Sequence, residues 1–271
     1  MTKLHIVTVA TSDEFYFKYL VKSCHANGTE LKVLGWGEKF EGFNWKYIKM
    51  IEYLQTINSN NIVCFVDGYD VICTRNLNEL NSEFEKIKKI TNSKIIVSHG
   101  NNLNETLMTF YFGKCNDKLL NSGIYIGNAG DLLEILKEIN QLNSDSDADD
   151  QVLLTNYCKM YPKKIYVDID NDLFLSMSRP LQEISDFVTV DQNVVSYNDK
   201  NPFFVHAQGG GYLDKLIINL GYDYDYAKPI NKKIFRKVIE KIPYYTYRLI
   251  IDNIHVFFII ILIIIIFYSK N

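Results

Sequence analysis

Two carboxylates, Asp67 and Asp70, follow an apolar run in the stretch NIVCFVDGYDVICT. Charged side chains are rarely buried unless they are paired or bind a metal. In a regular strand, residues three apart point to opposite faces, so these two side chains converge only if the chain turns between them. Gly68, directly after Asp67, permits such a turn. The pattern therefore predicts a clamp of two carboxylates at the end of a strand.

A clamp of this kind indicates a divalent cation. Two unpaired carboxylates about 4 Å apart repel by about 4 kcal/mol at an effective dielectric constant of about 20, and a divalent cation reverses that sign. Hard oxygen ligands favour magnesium, manganese or calcium over copper or zinc. The spacing alone also fits a solvated turn, or Asp70 as a helix N-cap. Phosphatases of the haloacid dehalogenase type have one residue between their paired aspartates, whereas this chain has two.

The clamp must be positioned by an α/β body. Over the first two thirds of the chain, β-branched runs alternate with helix-like stretches around residues 15–27, 45–57 and 77–90. This alternation predicts a mostly parallel twisted sheet flanked by helices, with ligands at the carboxyl ends of the parallel strands. The later runs KIYVDIDNDLFLSM and FVTVDQNVVSYN have no long helix between them. We expect them to form a small antiparallel addition to the sheet.

The composition argues against several classes of partner and site. The chain has 271 residues and a formal net charge of -3, which leaves no basic stripe for nucleic acid. Its five cysteines are scattered, without a C-x-x-C pair or a spacing typical of zinc sites. We expect reduced, mostly buried thiols at Cys24, Cys64, Cys73, Cys115 and Cys158.

The C-terminal end carries a membrane signal. The run VFFIIILIIIIFY, extended back to Leu249, gives about 20 residues, which is the length that spans a bilayer. We therefore predict a soluble domain over 1–228, a basic juxtamembrane segment over 229–248 and a transmembrane helix over 249–268. Because the basic residues precede the apolar run, the positive-inside tendency places the soluble domain in the cytosol. A buried core helix is the alternative interpretation, and the sequon at Asn27 matters only in the opposite orientation.

Four further blocks, taken in order, carry a resemblance to a known family. FVDGYDV, LNSGIYIGNA, DDQ and FVHAQGG resemble the glycosyltransferase domain of the procollagen lysyl hydroxylase (PLOD) family and of its collagen galactosyltransferase relatives. VLGWG looks like the family's V-L-G-x-G block, and the likeness runs from Ile6 to about Gly211. The resemblance implies a GT-A-like fold, a UDP-sugar donor and manganese (Mn2+) as the cofactor.

The resemblance also implies roles for individual residues. By similarity, Asp67, Asp70 and His206 are the metal ligands, while Asp149 and Asp150 lie at the reaction centre near the sugar and the acceptor. The residues it implies for binding the donor are Val33, Lys46, Tyr69, Asn121, Ser122 and Gly209.

These residues have plainer interpretations when the resemblance is set aside. His206 then reads as a structural histidine, and Lys46 as a solvated lysine. Asp149 and Asp150 become acids at a helix N-terminus, where they are favourable with the macrodipole. The Asn-Ser-Gly block is then ordinary turn chemistry.

The chain departs from the family pattern at two places. It reads GFNWK where the family has a glycine-rich run before its lysine, and SHGNNLNETL where the family carries an acid and a Cys-Trp-Pro block. The second region is thought to shape the sugar and acceptor pocket in the family, so neither the donor sugar nor the acceptor is fixed by the resemblance.

The sequence as a whole predicts a metal-dependent hexosyltransferase. We expect it to move glucose, with galactose as the close second, from a UDP-sugar to a hydroxyl acceptor with retention at the anomeric carbon. Hydroxylysine or a glycan on a collagen-like protein is the acceptor that the resemblance suggests. The alternative is a membrane-tethered protein that binds nucleotide sugars without turnover.

Overall fold

The computed structural model describes residues 2–102, 105–142 and 148–225. Its strands are β1 Leu4–Val9, β2 Leu31–Leu34, β3 Ile62–Val66, β4 Val71–Cys73, β5 Ile95–Asn102, β6 Leu120–Asn128, β7 Ile165–Asp168, β8 Phe174–Ser178, β9 Thr189–Asp191, β10 Val194–Ser196 and β11 Phe204–His206. Its α-helices are α1 Phe17–Ala26, α2 Phe43–Leu54, α3 Leu80–Thr91, α4 Glu105–Phe112, α5 Ala129–Leu142, α6 Asp150–Met160 and α7 Asp214–Asn219.

The C-terminal membrane signal cannot be compared with these elements. Residues 229–248 and 249–268, predicted as the juxtamembrane segment and the transmembrane helix, lie outside the described residues. Within the part of the chain that the structure describes, the helices are too short or too polar for any of them to cross a membrane.

The strands form one large, mostly parallel sheet, as predicted. Its order is β2-β1-β3-β6-β5-β8-β11-β4, and β7 also pairs with β5. Only β6 and β4 run against the common direction: β6 is antiparallel to both β3 and β5, and β4 is antiparallel to β11. The other pairings, β1 with β2 and β3, β5 with β7 and β8, and β8 with β11, are parallel.

Alternating side chains of the sheet pack into two cores. On β3, Val63 and Phe65 contribute to one core, and Cys64 and Val66 to the other. Residues of α2, α5 and α6 complete the first core, and residues of α1 and α3 complete the second. Fully burying an aliphatic or aromatic side chain is worth about 1.5–3 kcal/mol, so the sheet is stabilised from both faces.

The later strands differ from the prediction. β7 and β8 are both parallel to β5, with Ile95 opposite Ile165 and Gly100 opposite Ser176. They lie one after the other along the same side of β5, which bends at an irregularity between Val97 and Ser98. After β7 the chain leaves the sheet in a loop and returns as β8 in the same direction, so the connection between these two strands needs no crossover helix. The antiparallel addition was therefore wrong for this segment.

The run FVTVDQNVVSYN forms a hairpin of its own. β9 and β10 pair antiparallel, with Val190 opposite Val195, in a separate two-stranded sheet. The antiparallel pairing was predicted, but its attachment to the main sheet was not found among the described residues. The tight turn at Gln192 and Asn193, both with positive φ, supplies the local reversal.

The cysteine prediction was wrong for one pair. Cys115 and Cys158 form a disulfide with 5.5 Å between their Cα atoms, linking the segment after α4 to α6. Cys24, Cys64 and Cys73 are buried free thiols, as predicted. The two bonded cysteines are 43 residues apart, so neither had a local sequence signal of its partner.

Candidate metal centre

The two carboxylates lie at a turn between strands, as the sequence predicted. β3 ends at Val66 and β4 begins at Val71, and β4 pairs with β11 rather than with β3. The backbone N–H of Asp67 donates to the carbonyl of Gly123 on β6 at 2.8 Å, which fixes the start of the turn. The turn leaves little space at Gly68, since a Cβ there would lie 3.0 Å from Thr8 Oγ1 and 3.3 Å from the carbonyl oxygen of Val9.

His206 reaches this turn through strand pairing. It is the last residue of β11 and lies opposite Val71 of β4, next to Asp70 in sequence. The N–H of Ala207 donates to the Asp70 carbonyl at 2.9 Å, which closes the pairing beside the turn. Two segments far apart in sequence therefore meet because β4 forms a ladder with β11.

The three side chains can hold one cation. His206 Nε2 lies 3.2 Å from Asp70 Oδ1 and 3.9 Å from Asp67 Oδ2. The candidate ligand atoms all lie within 4.8 Å of one another. Burial alone would lower the pKa of His206, but the carboxylates of Asp70 and Asp67 outweigh it and raise that pKa. Positive charge is therefore favoured at this point.

Gly123 supports the same assignment. A Cβ at this position would collide with the His206 ring and would lie 2.7 Å from Asp67 Oδ2. The absence of a side chain on β6 thus leaves the space between the imidazole and the carboxylate open. Two carboxylates and one imidazole suit manganese or magnesium as well as softer divalent ions. The residues present fit a divalent cation.

Lys46 on α2 is held between two acids. Its Nζ lies 2.9 Å from Asp67 Oδ1 and 2.7 Å from Asp150 Oδ2. Burial would lower the pKa of Lys46, but Asp150 and Asp67 raise it, so the side chain is cationic. The solvated lysine among the sequence interpretations is wrong, because Lys46 is only 8% exposed.

The two acids of the DDQ block have different positions. Asp149 is the N-cap of α6, and its Oδ1 accepts the N–H of Gln151 at 3.0 Å and of Val152 at 3.3 Å. Asp150, the first residue of α6, is 4% exposed and carries the ion pair with Lys46. The helix-terminal interpretation is therefore correct for both acids, and Asp150 in addition forms the ion pair that connects it to the candidate metal centre through Lys46.

Asn121 lies next to the metal-ligand histidine. On β6, its Oδ1 is 3.1 Å from His206 Nδ1, and its Nδ2 donates to Gln151 Oε1 at 3.2 Å and also to Gln208 Oε1. Ser176 of β8 contributes an Oγ 3.3 Å from the same histidine nitrogen. Asn121 is on a strand, so the interpretation of its block as a turn is wrong.

The remaining predicted donor residues lie on different elements of the fold. Val33 is on β2, which β1 separates from β3. Ser122 is buried on β6. Tyr69 is in the turn over residues 67–70 between β3 and β4, which we call the acid turn, and its hydroxyl accepts the N–H of Thr11 at 2.9 Å. Gly209, with φ of 71°, lies in the turn over residues 208–210 that follows β11, which we call the glycine turn.

Sequence reasoning missed an aromatic group beside Tyr69. The rings of Phe15 and Phe17 lie 5.8 Å and 6.4 Å from the Tyr69 ring, and Trp36 lies 5.0 Å from Phe17. These residues follow β1, β2 and β3, so they share the carboxyl edge of the sheet. Trp36 lies inside the VLGWG block, which could have drawn attention to it.

Other missed residues are polar and buried. Ser98, Ser176 and Gln208 surround Asn121 and His206, and each is at most 9% exposed. The signal for Gln208 was its place two residues after His206 in FVHAQGG. Ser98 and Ser176 had only a weaker signal, namely a hydroxyl inside an otherwise apolar strand.

The fold and the site together define an α/β domain in which two aspartates and a histidine that could hold a metal ion lie at the carboxyl edge of the sheet, beside a buried lysine–aspartate pair. A family model described as the PLOD GT domain matches residues 1–225. The chain therefore belongs to the PLOD family of glycosyltransferase domains, which confirms the resemblance seen in the sequence.

Individual relatives are distant. The chain is 25% identical over 233 residues to the multifunctional procollagen lysine hydroxylase and glycosyltransferase of Caenorhabditis elegans, covering 77% of this chain and 31% of that protein. It is 27% identical over 237 residues to the human LH3 enzyme of the same description, covering 76% and 30%. The chain thus spans about a third of the length of these curated relatives.

A solved structure is also similar. It is a glycosyltransferase involved in the glycosylation of the major capsid of PBCV-1, with a TM-score of 0.44 and 15% sequence identity. The alignment covers 75% of this chain and 93% of that one.

Proposed function

We propose that this protein is a manganese-dependent hexosyltransferase that moves glucose from a UDP-sugar to a hydroxyl acceptor. The observation that carries the proposal is the cluster of Asp67, Asp70 and His206, with its cationic neighbour Lys46, in a PLOD-type glycosyltransferase domain. Galactose is the second donor sugar to test. Because the relatives are procollagen lysine hydroxylases and glycosyltransferases, a hydroxylysine on a collagen-like protein, or a glycan attached to it, is the first acceptor to try.

The chain's own residues divide the work of binding the donor. Asp67, Asp70 and His206 would hold the cation. When bound, manganese would neutralise charge on the diphosphate of the departing UDP, which is where electrostatic stabilisation is largest. Lys46 adds a fixed positive charge 2.9 Å from Asp67 Oδ1. Tyr69 and its aromatic neighbours would face the nucleoside, and Gly209 would let the backbone approach a phosphate closely.

Asp150 is the residue for orienting the sugar or the acceptor. It is buried, and its carboxylate is held 2.7 Å from Lys46 Nζ. A front-face reaction with retention needs no strong enzyme base, because the departing phosphate oxygen accepts the proton of the acceptor hydroxyl. Asp150 would then position a hydroxyl by accepting its hydrogen bond. Asp149 would act through the N-terminus of α6, which it caps.

The test is hydrolysis of UDP-glucose with manganese and no acceptor, followed by a panel of UDP-sugars. The variant carrying both Asp67→Ala and Asp70→Ala should lose metal-dependent release of sugar by at least about 100-fold, since it removes two metal ligands. Asp191→Ala, at an exposed position of β9, is the matched control and should keep full activity. Binding of UDP without release of sugar to water or to any acceptor would replace the enzyme by a nucleotide-sugar-binding protein.

We also propose that residues 249–268 anchor the chain in a membrane. The basic residues of 229–248 favour a cytosolic soluble domain. The disulfide between Cys115 and Cys158 favours an oxidising compartment, because cytosolic disulfides are rare. These two features make opposite predictions for the side of the membrane, and protease protection separates them.

A further inference from the structure

We infer that Asn121 is a positioning residue that holds the His206 imidazole in the tautomer with hydrogen on Nδ1, leaving the Nε2 lone pair facing the acid turn. This inference rests on the metal centre in the proposed function. It assigns Asn121 to the histidine rather than to the donor sugar, the role that the sequence resemblance implied.

The orientation of the Asn121 amide is fixed by a backbone group. The N–H of Gly123 donates to Asn121 Oδ1 at 3.1 Å. A backbone N–H is only ever a donor, so the atom that it meets must be the amide oxygen and not the nitrogen. The backbone N–H two residues further along β6 therefore determines which atom of the Asn121 amide is the oxygen and which is the nitrogen.

The same oxygen then determines the tautomer of His206. Nδ1 lies 3.1 Å from Asn121 Oδ1, and an amide oxygen only accepts hydrogen bonds. Nδ1 must therefore carry the hydrogen. Nε2 lies 3.2 Å from Asp70 Oδ1 and donates to that carboxylate when the ring is protonated. A divalent cation among the three side chains would take the place of this proton, and the hydrogen on Nδ1 leaves the Nε2 lone pair available to it.

The neighbouring serines do not determine the tautomer of His206. Ser176 Oγ lies 3.3 Å from His206 Nδ1 and 3.0 Å from Ser98 Oγ. A hydroxyl can donate or accept, so these serines adapt to either tautomer. Asn121, Ser98, Ser176 and His206 are all at most 5% exposed. Bulk water therefore has little access to replace the Asn121 oxygen if it is removed.

The other half of the Asn121 amide anchors it. Nδ2 donates to Gln151 Oε1 at 3.2 Å, on the first turn of α6, and to Gln208 Oε1 in the glycine turn. Gln208 Nε2 has no hydrogen-bond partner among the described residues. A rotated Gln208 amide could therefore donate to a carboxylate at position 121, so Asn121→Asp is tolerable, whereas Asn121→Leu removes the oxygen and keeps the approximate volume.

The experiment compares the unmodified chain with three variants. Mn2+ binding is measured from the EPR signal of free Mn2+, without donor or acceptor. We expect Asn121→Leu to weaken binding about 10–100-fold, as loss of a partner to a metal-bound histidine does. Asn121→Asp should stay within a few-fold of the unmodified chain. Asn44→Leu, another buried asparagine, whose side chain bonds Asn140, is the matched control and should bind normally.

A second readout needs neither metal nor donor. Two-bond proton–nitrogen NMR, followed as the pH is raised until the ring is neutral, reports the tautomer of His206, assigned by its loss in His206→Gln. We expect hydrogen on Nδ1 in the unmodified chain and in Asn121→Asp, and a loss of that preference in Asn121→Leu. Circular dichroism confirms that each variant is folded.

A neutral His206 ring with its hydrogen on Nε2 and none on Nδ1 in the unmodified chain would overturn the inference, as would normal Mn2+ binding by Asn121→Leu. A protein with the expected tautomer and Mn2+ affinity that transfers no sugar would instead refute the proposed function while leaving the role of Asn121 intact.

Discussion

At the residue scale, Lys46 links the metal centre to α6. Its Nζ contacts one proposed metal ligand, Asp67, and one acid of α6, Asp150. Both acids lose their cationic partner if the lysine is removed, and Asp150 is almost fully buried. Leaving a buried charge without its partner is strongly destabilising, so the contribution of Lys46 can be measured without any substrate.

We predict that Lys46→Met lowers the free energy of unfolding in metal-free buffer by about 3 kcal/mol, because Asp150 and Asp67 lose their buried counter-charge. Urea denaturation measures this. The control is Lys49→Met, three positions later on the same face of α2, where the lysine also contacts two acids, Glu38 and Glu52. Those acids are exposed, so the control should change stability by at most about 1 kcal/mol. Equal effects of the two variants would contradict the prediction.

Single residues also show how much of the candidate site could be predicted from the sequence. Asp67, Asp70 and His206 were all named from their motifs, and the structure brings them together. The roles of Gly123 and Asn121 around them were not foreseen. The close approach of a glycine Cα to a histidine ring depends on which strands become neighbours, and no local pattern in LNSGIYIGNA specifies that.

At the element scale, the loop between β7 and β8 depends on Asp168. This carboxylate is fully buried and accepts the N–H of Asp172, Leu173 and Phe174 at 3.0, 2.9 and 2.9 Å. Burial raises the pKa of Asp168 to about 6, even though the three backbone hydrogen bonds lower it. The hydrogen bonds of this carboxylate therefore hold the loop so that β8 can pair with β5. Because the group is buried, its ionisation in the folded state costs free energy.

The sign of that cost gives a pH prediction. Because the folded-state pKa of Asp168 exceeds the unfolded value of 3.8, the folded state binds more protons between about pH 4 and pH 6. The free energy of unfolding should fall as pH rises through this window, by on the order of 2–3 kcal/mol from this group. Asp168→Asn should remove that slope, while also losing a hydrogen-bond acceptor worth about 1–3 kcal/mol.

Urea denaturation at several pH values across the window tests the slope. Asp170→Asn, an exposed aspartate in the same loop, is the control and should keep the pH dependence of the unmodified chain. An unchanged slope in Asp168→Asn would show that another group titrates there.

The disulfide acts on a second pair of elements. It ties α6, which presents Asp150, to the segment that leads into β6, which presents Asn121. We predict that the double variant Cys115→Ser, Cys158→Ser has a free energy of unfolding about 3–4 kcal/mol lower than that of the unmodified chain, since a loop of 43 residues is no longer closed. Thermal denaturation with and without reductant measures this. Reductant should destabilise the unmodified chain and leave the double variant unaffected; sensitivity of both would point to another thiol.

Elements were easier to predict in type than in partner. The helices around 15–27, 45–57 and 77–90 are found as α1, α2 and α3, the last preceded by a short 3-10 turn at Leu77–Glu79. The direction of β7 and β8 was wrong because the absence of a helix between two strands does not require the chain to reverse. β7 and β8 are joined by a five-residue loop held by Asp168, and hydrophobic periodicity does not predict such a connection.

At the scale of the whole molecule, the proposed anchor can be tested by truncation. We predict that the chain lacking residues 249–271 is recovered in the soluble fraction, whereas the full chain sediments with membranes, because about 20 apolar residues suffice to span a bilayer. Fractionation of cells expressing fluorescent fusions measures this. Retention of the truncated chain on membranes at high salt would rule out residues 249–268 as the sole anchor.

The side of the membrane needs a separate measurement. Protease added outside sealed vesicles should digest a cytosolic domain and spare a lumenal one. In the lumenal case, the sequon at Asn27, the residue after α1, would become available for glycosylation. Digestion together with reduced Cys115 and Cys158 would support the cytosolic side that the basic residues favour.

The sequence by itself determined the mostly parallel α/β body, the acid turn after β3 and the family, because these depend on local periodicity and on blocks whose order survives in the chain. Only the tertiary structure decided that Lys46 lies between Asp67 and Asp150, that Asn121 faces His206, and that Cys115 bonds Cys158. Each of these depends on which strands and helices become neighbours. A strand's alternation specifies which side chains are buried, but it does not specify the partner against which they pack.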